Sequence, residues 1–194
     1  MSRAAALLGA LLLAAPTAAS AQRQFSVELR PELGVPVSDL SDASLDAGFG
    51  FEIVAAYRIM PHVSVYGGWD WHRFSTDDFA GVVDADVEET GYAFGLRFQH
   101  PLGGSETVAY RVHLGGMYNH IDVEDSDGEL SQDTGHGLGW EAGVGAAFRL
   151  GDNWEVSPGL RLRSLERDFD AGSFGPVTAT LQYVGIGVGF ARWF

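Results

Sequence analysis

The chain has 194 residues, a formal net charge of −14, 46% hydrophobic residues and no cysteine. This length fits one domain, and the negative charge argues against a nucleic-acid partner because the phosphate backbone would be repelled. Without cysteine, neither disulfides nor thiolate ligands are available to stabilise the fold.

Residues 1–21 predict a cleaved signal peptide. Arg3 supplies the positive charge, residues 4–15 form an apolar run, and residues 19–21 are small side chains suited to cleavage before Gln22. A membrane anchor is the alternative, but the apolar run is too short to cross a bilayer as a helix. Residues 22–194 are then the mature domain.

The mature chain contains eight segments in which two kinds of side chain alternate with period two. One row is bulky, apolar or aromatic, and the other mixes glycine, alanine and charge, as in Phe25, Val27 and Leu29 opposite Ser26 and Glu28. The predicted strands are residues 25–35, 48–58, 63–72, 91–99, 108–115, 138–149, 154–163 and 183–194. The sequence therefore predicts an all-β, eight-stranded antiparallel up-and-down transmembrane barrel.

The content of the two rows predicts which face is inside. A soluble barrel of the lipocalin type would bury the bulky row, but an eight-stranded barrel has an interior just wide enough for side chains. Glycines leave room there for arginines, which need carboxylates because unpaired buried charge is costly. The predicted interior holds Glu28, Glu32, Glu52, Asp70, Glu141 and Glu155 with Arg30, Arg58, Arg97, Arg111, Arg149, Arg161 and Arg163. We expect a structural charge network centred on Glu52, Arg97, Arg111, Glu141, Arg161 and Arg163.

Aromatic residues cluster at the ends of the predicted strands, which is typical of the two girdles of a membrane barrel. One predicted girdle holds Tyr57, Phe98, Phe148, Trp154 and Phe194, and the other holds Phe49, Trp69, Trp71, Tyr92 and Trp140. A general preference of aromatics for strands would explain their presence but not this clustering.

The predicted connections differ in length and charge. Those at 59–62, 100–106 and 151–153 are short, whereas those at 36–46, 75–90, 120–137 and 165–179 are long and hold 18 of the 26 acidic residues. Arg167 and Arg73 are the bases expected near them. Such loops would form a solvated surface, and would attract divalent cations or a basic partner. The acids at 125–129 do not follow the spacing of a calcium-binding loop, so no metal site or cofactor is predicted.

The last strand, YVGIGVGFARWF, carries the family resemblance. With the girdles and the signal peptide, it makes the mature chain resemble the small outer-membrane β-barrel family, the group of the OmpA transmembrane domain, OmpX and OmpW. The resemblance implies that Val188, Phe190 and Phe194 form the signal recognised by the barrel assembly machinery. Arg192 departs from the apolar residue usual there, and we expect Trp193 to compensate by anchoring at the membrane interface.

The resemblance and the residues together predict a monomeric outer-membrane protein with a structural or surface-interaction role, in contact with lipid and lipopolysaccharide and displaying four acidic extracellular loops. An OmpW-like conduit for small solutes is one alternative, although it would need a hydrophobic lumen. A lipid-modifying enzyme is the other. Its nearest catalytic candidates are His72, Ser75 and Asp77, which lack a nucleophile motif, so no catalytic residue is predicted.

Overall fold

The computed structural model describes residues 23–38, 40, 44–79, 82–125, 127, 129–170 and 176–194. The predicted signal peptide lies outside these residues. The strands within them are β1 (Phe25–Pro36), β2 (Gly48–Met60), β3 (Val63–Phe79), β4 (Val82–Pro101), β5 (Val108–Glu124), β6 (Leu130–Asp133), β7 (Gly137–Leu150), β8 (Trp154–Asp170) and β9 (Pro176–Trp193).

The strands form one closed antiparallel barrel. Strands β1 to β5 follow one another round the wall, β7, β8 and β9 continue it, and β9 pairs with β1 to complete the circle. Strand β6 is a short addition that pairs with β5 above the start of β7. Eight strands therefore enclose the lumen, as the sequence predicts, and closure pairs the edges that an open sheet would expose.

Side-chain burial alternates along the wall with period two. On β1, Leu29 and Leu33 are 49% and 58% exposed, whereas Arg30 and Glu32 between them are buried. The same alternation continues on β2, where Val54 and Ala56 point inward. The apolar row faces outward and the polar row faces the lumen, which is the arrangement that suits lipid.

Two levels of aromatic residues bound the outward apolar surface. Tyr57, Phe98, Phe148 and Trp154 are exposed at the end that carries the short turns, here the turn end. Phe49, Tyr92 and Trp140 are exposed towards the opposite end, here the loop end. Cross-strand partners such as Trp69 and Tyr92 are in register, so these residues form rows around the barrel. We take the wall between the two rows as the membrane-spanning part.

Several strands continue well beyond the loop-end aromatic row. Strands β3, β4, β5, β8 and β9 have 17 to 20 residues, although 9–11 suffice to cross a bilayer. The prediction of long loops at 75–90, 120–137 and 165–179 is therefore wrong for most of those residues. Their acids suggested loops, but an acidic side chain on the outward face of a hydrated strand leaves the backbone ladder intact.

The turn end is built from tight connections. Gly103, Gly104 and Gly151 have φ values of 60°, 78° and 62°, which side chains with a Cβ rarely adopt, and β2 and β3 are joined through Pro61 and His62. Among the described residues, no helix is long and apolar enough to cross a membrane.

Candidate functional site

An apolar plug fills the lumen towards the loop end. Its members come from five strands and from the β1–β2 connection, and each is at least nine-tenths buried. The plug comprises Leu40, Leu45, Phe74, Ala85, Val87, Ala93, Met117, Ile121, Val123, Leu165, Ala179, Leu181 and Tyr183. The expectation of a lumen made mainly of glycine, alanine and charge is wrong at this level, because the inward row turns apolar where the strands leave the predicted membrane-spanning length.

The β1–β2 connection closes the plug from above. Leu40 is fully buried and Leu45 nearly so. Two hydrogen bonds to β3 hold the segment in place. The Asp46 amide donates to the Ser75 carbonyl at 2.8 Å, and the Thr76 hydroxyl donates to the Ser44 carbonyl at 2.9 Å. A connection expected to be displayed thus contributes part of the lumen's filling.

Below the plug lies an ion-pair network in two linked halves. The upper half centres on Glu141, whose Oε2 accepts from Arg161 Nη1 at 3.2 Å and from Arg163 Nε at 3.1 Å. Its Oε1 accepts from the Tyr66 hydroxyl at 2.5 Å. Arg161 Nη2 also donates to Glu52 Oε2 at 2.6 Å. Both guanidinium groups are thereby bridged through carboxylates from other strands.

Arg163 extends the upper half towards the plug. Its Nη2 donates to Asp70 Oδ2 at 2.7 Å and its Nη1 to the Tyr183 hydroxyl at 3.1 Å. Asn119 donates to Asp70 at 2.9 Å and to Glu89 at 2.5 Å. Tyr183 belongs to both the plug and the network, since its ring packs on Phe74 and its hydroxyl hydrogen-bonds Glu89.

The lower half of the network centres on Glu28. Its carboxylate is bonded by Arg30, lies 3.0 Å from Arg97 Nη1 and 3.2 Å from Arg111 Nη1. Arg111 also pairs with Glu155, which accepts from the Gln99 amide at 2.8 Å. Glu32 lies 3.7 Å from Arg161 and 3.9 Å from Arg30, and so links the two halves.

The six residues predicted as the charge network are divided between these halves. Glu52, Glu141, Arg161 and Arg163 lie together in the upper half. Arg97 and Arg111 lie in the lower half, where Glu28, rather than Glu52 or Glu141, is their shared partner. All six side chains are buried.

Two predicted lumen arginines lie outside the ion-pair network, and one predicted loop acid lies inside the lumen. Arg58 and Arg149 have the predicted inward parity but lie at the turn-end mouth of the lumen, where Arg149 is exposed and half-buried Arg58 stacks on the inward-pointing Trp193, 4.6 Å from the ring centroid. Both line a cavity of about 130 Å³ at the turn end. Glu89 was expected among the loop acids and is instead fully buried in the lumen. Glu89 has the same parity on β4 as Gly91 and Ala93, which predicts an inward side chain. The prediction missed this because it began the strand at residue 91.

Glycines on the inward row supply the room that these ion pairs need. A Cβ on Gly187 would lie 2.5 Å from Glu32 Cγ, and a Cβ on Gly189 would overlap the Glu28 carboxylate. Gly185 would likewise meet Glu32. The alternating glycines of β9 are therefore a packing requirement of the charges on β1.

The outward face of the loop end is acidic. Arg73 bonds Asp86 and donates to Glu88 at 2.9 Å, and it lies 3.7 Å from Glu124. The hydrogen bond from Arg73 lowers the pKa of Asp86, which partial burial opposes and a bond from Ser75 reinforces. One half-buried arginine thus serves three carboxylates, and this surface keeps a net negative charge.

Arg167 does not offset the loop acids, contrary to expectation. Its buried guanidinium donates to the carbonyls of Asn119, Gly137, Leu138 and Glu166 at 2.6 to 3.1 Å. Asn119 is on β5 and Leu138 on β7, so the side chain joins three strands where β7 begins. Desolvation by the surrounding wall lowers the pKa of Arg167.

The terminal strand places its predicted recognition residues on the outside. Val188 and Phe190 are exposed to the lipid side, and Phe194 is half-buried, its amide donating to the Phe25 carbonyl at 2.8 Å. Trp193 is only 8% exposed and points inward. The expectation that Trp193 anchors at the interface is wrong, because position 193 has the inward parity of β9.

The candidate hydrolytic group is not assembled. His72 is buried in the lumen 3.4 Å from Glu32, whereas the exposed Ser75 donates to Asp86 at 2.7 Å on the outer face. Positions three apart on a strand face opposite sides. No group of three or more histidine or acidic residues in the described part of the chain is arranged to hold a metal ion.

These features define a transmembrane β-barrel with a filled lumen. A family model described as "Outer membrane protein beta-barrel domain" matches residues 4–192, and the chain belongs to this family. The protein is therefore an outer-membrane protein. A comparison with curated protein sequences returns no match.

Solved structures with the same fold include three small barrels. Neisserial surface protein A is 14% identical, with a TM-score of 0.62 over 88% of this chain and 97% of its own. OprG from Pseudomonas aeruginosa is 15% identical, with a TM-score of 0.59 over 87% and 95%. E. coli outer membrane protein W is 14% identical, with a TM-score of 0.55 over 90% and 100%. At these identities the likeness is one of fold.

Proposed function

We propose that this protein is a monomeric, closed-lumen barrel with a structural or surface-interaction role, and that its loop end faces the cell exterior. The observation that carries the proposal is the filling of the lumen. Leu40, Phe74 and Tyr183 pack in the apolar plug, and Arg161 and Arg163 are bridged by carboxylates beneath it. Two different kinds of contact would have to break to open a water-filled path.

The acidity of the loop end supports a role in attracting cations or a basic partner. Glu88, Asp122 and Glu124 lie close together across β4 and β5, and half-buried Arg73 is the counter-charge of Glu88 and Glu124. Such a surface would repel anionic ligands unless divalent cations bridged it to lipopolysaccharide phosphates. We therefore propose cation-bridged lipopolysaccharide and basic protein surfaces as partners.

A non-enzymatic role agrees with the arrangement of the candidate catalytic groups. His72 lies inside the lumen with its Nε2 3.4 Å from Glu32 Oε2, and Ser75 is on the other face of the strand. Nucleophilic catalysis needs the base within hydrogen-bond reach of the nucleophile. We propose that neither residue acts on a substrate.

The conduit alternative has one observation in its favour. The apolar plug supplies the hydrophobic lumen at the loop end that a path for apolar solutes would need. Its side chains are buried against one another, however, and the ion-pair network closes the barrel beneath them. A conduit would require the β1–β2 connection, with Leu40 and Leu45, to leave the lumen.

Conductance across a planar bilayer tests the proposal. We expect the purified barrel to give no stable openings above leak. A Leu40→Asp/Leu45→Asp double variant, which would favour expulsion of the connection, should still conduct little because the network remains. Stable openings of the unaltered protein would contradict the closed lumen and favour the conduit.

The surface role needs a separate measurement. We expect binding to lipopolysaccharide vesicles to rise with millimolar Mg²⁺ and to fall when a chelator is added. A Glu88→Gln/Glu124→Gln variant should lose most of the Mg²⁺ dependence, whereas Glu106→Gln, an exposed acid at the turn end, should retain it. Identical binding by all three proteins would contradict a role for the acidic loop end.

A further inference from the structure

Two histidines of the loop end lie side by side outside the membrane-spanning part. His120 is near the end of β5, and His136 immediately precedes β7. Their ring centroids are 4.5 Å apart, and His120 Nδ1 lies 3.3 Å from His136 Nε2. Nothing in the closed-lumen role uses this pair.

The facing nitrogens lie within hydrogen-bond distance, but the two rings are not arranged head to head. A head-to-head N–H···N bond of 3.3 Å would hold the centroids roughly 5.5 Å apart, about 1 Å more than the 4.5 Å observed. The rings are instead drawn alongside each other, with the facing nitrogens oblique to the line between the centroids. A ligand bound between the two facing nitrogens would replace this oblique contact.

The distance between the nitrogens matches a metal chelate. A metal bound about 2.05 Å from each nitrogen would have an N–metal–N angle of about 107°, because the nitrogens are 3.3 Å apart. This angle is close to that of a tetrahedral site. Imidazole nitrogens suit Zn²⁺, Ni²⁺ and Cu²⁺, with Cu²⁺ expected to bind most tightly.

A carboxylate holds the first imidazole in the tautomer that binding requires. Asp122 Oδ2 lies 3.2 Å from His120 Nε2, so a proton on Nε2 leaves the lone pair on Nδ1, facing His136. Metal-ligating histidines commonly donate their other nitrogen to a carboxylate in this way. Asp122 is therefore a positioning residue.

The backbone around the second imidazole is also fixed. The Ile121 amide donates to the Thr134 hydroxyl at 2.9 Å, and the Thr134 amide donates to the Ile121 carbonyl at 3.0 Å. The Tyr118 ring packs on His136 with centroids 5.1 Å apart. These contacts hold the segment before β7 beside β5 and so keep the two imidazoles together.

We propose that His120 and His136 form a surface site for a divalent transition metal, oriented by Asp122. No third histidine or acidic ligand in the described residues completes the site. Water or a ligand from outside the chain fills the remaining positions, which makes the metal exchangeable.

A second histidine pair at the turn end supplies a matched control. His62 and His100 have centroids 4.6 Å apart, almost the same as the proposed ligands. Their Nδ1 atoms, however, lie 3.1 and 2.9 Å from the carbonyl oxygens of Gln99 and Pro101. These nitrogens are occupied by backbone and do not face each other.

Titration of the refolded, untagged barrel with Cu²⁺ tests the proposal, with calorimetry for affinity and electron paramagnetic resonance for ligands. We expect one equivalent to bind with the signature of two imidazole nitrogens. His120→Gln and His136→Gln should each abolish that two-nitrogen signature, Asp122→Asn should weaken binding about 10–100-fold with the signature retained, and His62→Gln should change neither.

Three outcomes would overturn the site. They are no stoichiometric binding by the unaltered protein, an unchanged signature in His136→Gln, and loss of binding in His62→Gln alone. Each variant is first shown to be folded by its gel migration with and without boiling, so that a lost signal reports the metal site. Because the test uses free Cu²⁺, its result is independent of lipopolysaccharide binding and of conductance.

Discussion

At the scale of single residues, odd or even position along a strand determines whether a side chain faces the lumen or the outside of the barrel. Period-two reading placed Glu52, Glu141, Arg161 and Arg163 in one inward cluster, and the structure brings them together. It could not say which carboxylate each guanidinium would choose, since Arg161 bonds both Glu141 on the neighbouring strand β7 and Glu52, 109 residues away, across the closed lumen. Arg97 and Arg111 instead form ion pairs with Glu28.

Glu141 offers a direct test of the network. Glu141→Gln keeps the side-chain volume but leaves Arg161 and Arg163 short of a shared negative charge. Removing one partner of a buried pair costs about 3–5 kcal/mol. We expect a loss of that order in the free energy of unfolding, measured with urea in detergent micelles. Glu106→Gln, exposed at the turn end, should be neutral, and equal midpoints for both variants would contradict the network's role.

Gly189 tests whether the inward-facing glycines of β9 are needed to leave room for the charges on β1. Its added Cβ would overlap the Glu28 carboxylate, which three arginines hold in place. We expect Gly189→Ala to destabilise the barrel by about 1–3 kcal/mol through overpacking. Gly67→Ala is the matched control, because the nearest atom to its Cβ is 4.0 Å away. Equal thermal midpoints in detergent for the two variants would show that the lumen has room to spare.

At the scale of elements, strand existence was predictable and strand length was not. The eight alternating segments correspond to the eight wall strands, but β3, β4 and β8 continue through stretches whose acids suggested loops. Hydrated hairpins keep their ladders with charged outward faces, so charge alone does not end a strand. The start of β7 depends on Arg167 and four carbonyls, a contact that has no local sequence signal.

The extension of β3 and β4 should respond to acid. Because Arg73 lowers the pKa of Asp86, this carboxylate stabilises the hairpin fully above the ordinary aspartate pKa of about 3.9. The contribution is lost as the pH falls through the lower folded pKa. We expect Asp86→Asn to raise amide exchange in residues 73–79 and 82–88 relative to the unaltered protein at pH 6, and the difference to vanish towards pH 2. A difference that is independent of pH would contradict the assignment.

At the scale of the whole molecule, the seam between β1 and β9 is where the barrel closes. Phe194 packs against Phe25, with ring centroids 6.0 Å apart, and bonds its backbone there. If the terminal residues are read by the assembly machinery, Phe194→Ala should reduce the amount of inserted barrel in cells several-fold while refolding in detergent stays near normal. Phe148→Ala, a girdle aromatic of another strand, should insert normally. Equal insertion would contradict the signal.

Strand β1 carries Glu28, Arg30 and Glu32, yet its acids meet arginines on β4, β5 and β8, none of which is its neighbour in the sheet. A half-built sheet would leave Glu28 and Glu32 with Arg30 of their own strand as their partner and without the arginines of β4, β5 and β8. Adding strands to the wall one at a time therefore forms few of these ion pairs until β9 pairs with β1 and closes the barrel. Insertion into the bilayer should accordingly be cooperative, because the ion-pair network in the lumen forms only when the barrel closes.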